Sequence, residues 1–452
     1  MKFLWRLWSS NKHNHWLLKL AVGILLLGFG FRLFFYQESR FDPELENPFM
    51  DSTKKLKTTP SSPPPPPHLA PQPVSEGFSY SIPSPFGHVE EAPSPSPVEE
   101  PDSGKCDYFV GDWIPNPSGP AYTNASCSLI DGHQNCMRNG RLDSGYLYWR
   151  WNPRNCELPP FDAQRFLEFM RNKSWALIGD SISRNHVQSL LCMLASVEQP
   201  LEVYHDEQYK SKRWHFPSFN FTISNIWSPF LLEAAIFEDN NGVSSSEVQL
   251  QFDKLDTTWT DLYQSFDYMI ISSGKWFLKA AIYYENNTEV GCHICPGKNL
   301  TETGFAFAYQ KALSYAMNFI ATSNHTGTIF FRMSTPDHFE GGEWHNGGNC
   351  PRTSPAKAGE IAIKDLQHYL RDVEVAEFEK ASAKAAQNGV NLKLLDFTNL
   401  LLSRPDGHPG AYREFHPFAE GKNTTIRDCL HWCLPGPIDY LNDIVMQMVV
   451  DG

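Results

Sequence analysis

Residues 20–31 form an unbroken run of apolar residues and glycine, interrupted at Arg32 and resumed over 33–36. With residues 16–18 on its near side the stretch reaches roughly 20 residues, enough for a helix to cross about 30 Å of hydrocarbon. Lys19 and Arg32 lie near its ends, where long side chains can carry their charge to the headgroups. Lys2, Arg6 and Lys12 come before it with no acid among them, and Glu38, Asp42, Glu44 and Glu46 follow. A basic flank stays cytoplasmic, so the pattern predicts a cytoplasmic stub over 1–15, a transmembrane signal anchor over 16–36 and a body facing a lumen. The competing reading, a cleaved signal peptide, lacks a small-residue cleavage site after the run.

The rest of the chain fits a lumen. All ten cysteines lie after residue 105, and seven Asn-x-Ser/Thr sequons, beginning at Asn124, Asn172, Asn220, Asn286, Asn299, Asn324 and Asn423, lie outside the stub. Cysteines in an oxidising compartment are disulfides by default. Residues 37–104 hold sixteen of the 34 prolines and few apolar residues, too few to bury a core, so a semi-extended stalk is expected there. The net charge of −13, with no basic block in the body, argues against nucleic acid as a partner. Thirteen tryptophans suit a large core, and their faces also suit sugar rings.

Ordered structure is expected from Cys106. Residues 105–160 carry Cys106, Cys127, Cys136 and Cys156 amid Trp, Tyr, Gly and Pro, and read as a small, disulfide-tied N-terminal subdomain. From 161 to 452 strands and helices alternate. Residues 175–178, 268–271, 329–333 and 391–397 read as strands. Residues 183–195, 305–320, 358–387 (stopped by Gly389) and 438–449 read as helices. The alternation predicts an α/β fold, a parallel sheet flanked by helices, with its site at the carboxyl ends of the strands.

Gly179-Asp180-Ser181 stands where the first of these strands turns into a helix. A serine hydroxyl there sits beside unpaired helix N–H groups that can stabilise an oxyanion. Equally, Ser181 can be no more than an N-cap. Asp428 and His431 are three residues apart, close enough for the carboxylate to orient the imidazole as in a serine–histidine–aspartate triad, or simply to cap a turn. Cys292-His293-Ile294-Cys295 is a lone Cys-x-x-Cys: a zinc half-site or, in a lumen, disulfide sulfurs. The oxidation state of Cys192 is open; a buried free thiol is one reading.

Gly179-Asp180-Ser181 and Asp428-Cys429-Leu430-His431-Trp432-Cys433-Leu434-Pro435-Gly436-Pro437 together resemble the plant trichome birefringence-like family. Cys106-Asp107-Tyr108-Phe109-Val110-Gly111-Asp112-Trp113, Tyr148-Trp149-Arg150-Trp151 and His338-Phe339-Glu340-Gly341-Gly342-Glu343-Trp344 extend the resemblance over roughly 104–450. It implies an SGNH/GDSL-hydrolase-like domain in a Golgi polysaccharide O-acetyltransferase, with Ser181 as nucleophile, His431 as base and Asp428 as its orienter. In that reading the oxyanion sits on the Ser181 and Gly274 N–H groups, and Arg184 either binds a substrate or pairs on the helix surface. The expected acetyl source is acetyl-CoA or an acetyl-donor membrane protein, with no bound cofactor and no metal.

Two departures bear on the acceptor. Residues 274–277 read Gly-Lys-Trp-Phe where the family often has Gly-His-Trp-Trp, and Leu441 stands where a Trp is common. The residues after the triad most resemble the xyloglucan and mannan branches, which makes xyloglucan the first expectation and mannan the second. A polysaccharide acetylesterase with the same triad, or a non-catalytic wall-polysaccharide-binding protein, are the rivals.

Overall fold

The structure, a computed structural model, describes residues 106–238, 244–357, 359–422 and 426–452. The expected stub, anchor and stalk lie outside the described residues, as does the sequon at Asn423. Among the described residues no helix is long and apolar enough to cross a membrane.

Strands β1 (Gly111–Pro115) and β2 (Trp149–Pro153) pair antiparallel. Helix α1 (Ala163–Phe169) leads to β3 (Ser174–Gly179) and, directly after it, α2 (Ser181–Leu194). There follow β4 (Leu201–His205), β5 (Lys212–Phe216), β6 (Phe221–Trp227), β7 (Leu232–Ala235) and β8 (Val248–Leu255). A short α3 (Thr257–Thr260) precedes β9 (Tyr268–Ile271), β10 (Ala281–Glu285) and β11 (Thr288–His293). The chain continues through α4 (Gly304–Ala321), β12 (Thr328–Arg332), α5 (Asp365–Asn388), β13 (Asn391–Leu395), α6 (Thr398–Leu402) and α7 (Tyr440–Val450).

Seven strands form one sheet in the order β13-β12-β9-β3-β6-β5-β4. The five from β13 to β6 are parallel, and the β4–β5 hairpin adds an antiparallel edge. The centre is β3, and its sequence shows why. Trp175 and Leu177 point into one core with Leu190 and Leu194 of α2 and Leu441 and Ile444 of α7. Ala176 and Ile178 point into the other, with Leu313 and Met317 of α4 and Leu370 of α5. A strand buried on both faces reads as a continuous apolar run, which is how a central parallel strand differs from an alternating one. A second sheet, β11-β10-β8-β7, packs Leu250, Phe252 and Tyr283 into the α4 side.

The segment 201–293 departs from the expected alternation: its described residues hold seven strands besides β9, one short α-helix and three 3-10 turns. Its strands are four to eight residues long with mixed burial, so they carry neither a long apolar run nor a helical period. The long helix also begins later than residue 358. It starts at Asp365, after an extended Lys364, and ends as expected at Gly389 in the left-handed conformation (φ 72°), which glycine tolerates best.

All ten cysteines are paired. Cys106–Cys156 closes the N-terminal segment on itself. Cys127–Cys192 ties it to α2, so Cys192 is not a free thiol. Cys136–Cys433 ties it to the segment that carries His431, and Cys350–Cys429 holds the other side of that histidine.

Candidate active site

Strand β3 ends at Gly179 and α2 begins two residues later. Gly179 has φ 151°, and a Cβ there would lie 2.5 Å from the Ser272 carbonyl oxygen, so the sharp turn and the neighbouring strand both require glycine. Asp180 is the N-cap: its Oδ1 accepts from the Ile182 N–H at 2.9 Å. Ser181 is therefore not the capping residue. It occupies the first helical position, where its own N–H has no intrahelical acceptor.

The structure brings Ser181, His431 and Asp428 into one hydrogen-bonded chain. Ser181 Oγ lies 2.7 Å from His431 Nε2, and His431 Nδ1 lies 2.9 Å from Asp428 Oδ2. Asp428 also accepts from the His431 and Leu430 N–H groups at 2.9 and 3.2 Å, and from Arg413 at 3.2 Å. So the carboxylate orients the ring and caps the turn together; the two sequence readings of this pair coexist. Burial alone would push the Asp428 carboxyl up, but His431 and Arg413 outweigh it and hold it well below the ordinary carboxylate range. The bonded pattern assigns the proton on Nδ1 and leaves Nε2 able to accept from the serine.

A cavity opens beside the hydroxyl, lined by Ser181, Ile182, Ser273, Lys275, Trp276, Thr335 and Leu430 among others. Gly274 stands between two of its lining residues and starts a short 3-10 turn; a Cβ there would press within 2.9 Å of Ser334 Cβ. Lys275 is turned onto Asp337, which Lys364 also binds at 2.8 Å. Arg184 follows Ser181 by one turn and packs its guanidinium 5.8 Å from the Trp227 ring centroid, with Lys210 at 5.5 Å from the same ring. Among the described residues Arg184 thus meets an aromatic face rather than the surface carboxylate considered for it. Trp276, which lines the cavity, meets Trp227 edge to face at 5.2 Å.

Several supporting residues escaped the sequence reading. Asn185 holds the Trp432 backbone. Buried Arg332 donates to Ser272 Oγ at 2.7 Å and to the Ile182 carbonyl at 3.3 Å, bracing the turn behind Ser181. Glu374 of α5 accepts from the Ser334 N–H at 3.0 Å and from Tyr309, and burial pushes its carboxyl up to about 7. The only signal for these was a polar residue inside an apolar pattern, which does not name its partner. Cys292 and Cys295 are joined to each other beside Glu302, so they offer no thiolates to a metal.

Two family models cover this region. Residues 158–448 match a GDSL/SGNH-like acyl-esterase family found in Pmr5 and Cas1p, and residues 104–157 match the PMR5 N-terminal domain. Protein trichome birefringence-like 23 of Arabidopsis thaliana is 52% identical over 100% of this chain and 99% of its own. Protein trichome birefringence-like 24 of the same plant is 54% identical over 98% of each. Xyloglucan O-acetyltransferase 1 of Populus trichocarpa is 42% identical over 76% of this chain and 81% of its own.

Proposed function

Because the chain belongs to the trichome birefringence-like family, we propose that it is a polysaccharide O-acetyltransferase working through an acyl-serine. The observation that carries the reading is the Ser181–His431–Asp428 chain beside an open cavity. Relatives named xyloglucan O-acetyltransferase support transfer to a polysaccharide.

In the first half-reaction His431 Nε2 takes the Ser181 proton while Oγ attacks the acetyl carbonyl. The oxyanion is met by the Ser181 N–H, with Gly274 N–H as the second donor; such donors are each worth about 10²–10³ in rate. Collapse expels the donor's leaving group, which takes the proton from His431. In the second half a sugar hydroxyl gives its proton to His431 and attacks the acyl carbon, and Ser181 leaves with that proton. Asp428 stabilises the imidazolium in both halves.

Acetyl-CoA is the proposed donor, and the two cations against Trp227, Arg184 and Lys210, suit its phosphates. A relay from an acetyl-donor membrane protein is the second source. Xyloglucan is the first acceptor proposed and mannan the second; the xyloglucan-named relatives stand at 42%, below the 52% and 54% of the two trichome birefringence-like proteins. The apolar run over 16–36 with its basic near flank supports a type II anchor in the Golgi membrane, with the body lumenal.

The test incubates the full-length chain with acetyl-CoA and deacetylated xyloglucan, glucomannan and xylan oligosaccharides, and reads the mass gain of one acetyl group. A gain on one acceptor, absent in Ser181→Ala, supports the reading and names the polymer. Acetyl loss from native polysaccharide without any gain would make the protein an esterase, and neither gain nor loss would favour a binding protein.

A further inference from the structure

His338 and His408 stand behind the His431 loop in a single hydrogen-bonded file. His338 Nε2 is 2.9 Å from the Leu402 carbonyl oxygen. His338 Nδ1 is 2.7 Å from His408 Nε2, and His408 Nδ1 is 2.7 Å from the His431 carbonyl oxygen. A backbone carbonyl accepts and never donates. The two outer nitrogens must therefore each carry a hydrogen for both ends to bond. The two inner nitrogens face one another and need one hydrogen between them. That makes three hydrogens on two rings, and two neutral imidazoles hold only two. An imidazole beside an imidazolium holds three. In the neutral pair one of the three contacts must set lone pair against lone pair, between rings that are each only 4% exposed.

We propose that His338 and His408 share one excess proton and act as positioning residues for His431, fixing its main chain through a charge-assisted hydrogen bond to its carbonyl. The positioning role rests on the acyl-transfer reading; the proton count does not.

The groups around the pair decide when the proton is held. Burial pushes His338 down to about 4 and His408 well below its ordinary value, and Lys275 and Lys364 act in the same direction on His338. Asp337 pulls both rings up, and Asp428 pulls up His408. Each of those aspartates is already paired, Asp337 with the two lysines and Asp428 with His431 and Arg413. Arg141 donates to the His408 carbonyl at 3.0 Å, and the buried Arg404–Asp406 pair lies just before it. Against burial stand the three contacts that only the charged pair satisfies. The Trp432 ring adds to them, stacked on His408 with centroids 4.1 Å apart, a face that favours a cation. The two rings titrate as one unit, holding the excess proton in acid and losing it as pH rises through their apparent pKa.

The test counts protons. The full-length chain, labelled with 15N-histidine and reconstituted in lipid bilayers, is followed by solid-state NMR from about pH 5 to about pH 8, the range in which histidines titrate. His338→Gln and His408→Asn assign the two rings. Three protonated ring nitrogens at the acid end, falling to two, are expected. Two throughout, or four at the acid end, overturn the proposal whether or not the chain transfers acetyl groups. In kinetics, His408→Leu is expected to lower kcat about tenfold with KM nearly unchanged, and His408→Asn, whose amide N–H replaces Nδ1–H, to restore most of the loss. An unchanged kcat in a folded His408→Leu, with transfer activity intact, overturns the positioning role.

Discussion

Asn185 holds the main chain of Trp432 at both its polar groups: its side-chain oxygen accepts from the Trp432 N–H at 2.7 Å, and its amide donates to the Trp432 carbonyl at 3.2 Å. Asn185 stands one helical turn past Ser181, and Trp432 directly follows His431. The clasp thus sets the distance between nucleophile and base from the backbone side. Asn185→Ala leaves two buried main-chain groups unpaired, each costing about 1–3 kcal/mol. The expected outcome is a lower midpoint of thermal unfolding and a kcat reduced tenfold or more at nearly constant KM. A variant that unfolds as wild type does and keeps its kcat would show that the clasp positions nothing.

Asp428 separates orientation from mere presence of a base. Asp428→Asn keeps an oxygen that can cap the Leu430 and His431 N–H groups, but its amide favours the wrong imidazole tautomer. We expect kcat to fall by about 10²–10⁴ while the fold survives, with Ser181→Ala and His431→Ala no less severe. Acetyl transfer by each purified variant, with circular dichroism as the control for folding, measures this.

Arg184 and Lys210 act on the donor if the phosphates of acetyl-CoA lie against Trp227. Replacing both by Ala should raise KM for acetyl-CoA about tenfold, the equivalent of about 1.4 kcal/mol, and leave KM for a small uncharged acetyl ester alone. Equal effects on the two donors would remove the cations from donor binding.

Glu374 makes a pH-dependent prediction. Both of its hydrogen bonds go to Oε1, and buried Oε2 has no partner, an arrangement that suits a neutral carboxyl or an amide. Its folded pKa is raised from 4.5 to about 7, so between those values the folded state binds more protons than the unfolded one and this residue's contribution to stability falls as pH rises. Glu374→Gln lacks that loss. The variant should therefore gain on wild type in thermal unfolding as pH climbs from about 4.5 to about 7, at roughly 1.4 kcal/mol per pH unit at most, and run parallel beyond. A constant difference across that window would show that Glu374 stays ionised.

The Cys350–Cys429 bridge closes a loop of 79 residues next to the base. Removing it by the double change to Ala should cost about 4.5 kcal/mol through the unfolded chain. Because Cys429 adjoins Asp428, activity should fall at temperatures where the fold is still intact. Activity and unfolding lost over the same range would make the bridge a stabiliser only.

The amount of the site legible beforehand followed the reach of each interaction. Gly179-Asp180-Ser181 was readable because a strand-to-helix turn is made by adjacent residues, although the sequence alone left open whether Ser181 is a nucleophile or only an N-cap, and did not show that Asp180 is the cap. Asp428 and His431 were readable as a pair because three residues is one turn. Arg332, Glu374, His338 and His408 were not, since each is a buried polar group whose partners come from another strand, helix or loop. The segment 201–293 was misread for a different reason: its strands are too short to show a period, and pairing, mostly with the next strand along the chain, makes them strands.

What the sequence determined by itself is local: an apolar run of membrane-spanning length, a segment rich in proline and poor in apolar residues, and a strand buried on both faces that ends in the Gly179 turn. Each follows from sterics, hydrophobic burial and hydrogen bonds among residues a few positions apart. Only the tertiary structure decided that Ser181 and His431, 250 residues apart, lie within 2.7 Å, and which of ten cysteines join. Those outcomes depend on closing long loops against their entropy, and the sheet, the two cores and the Asn185 clasp together determine which closure is the stable one.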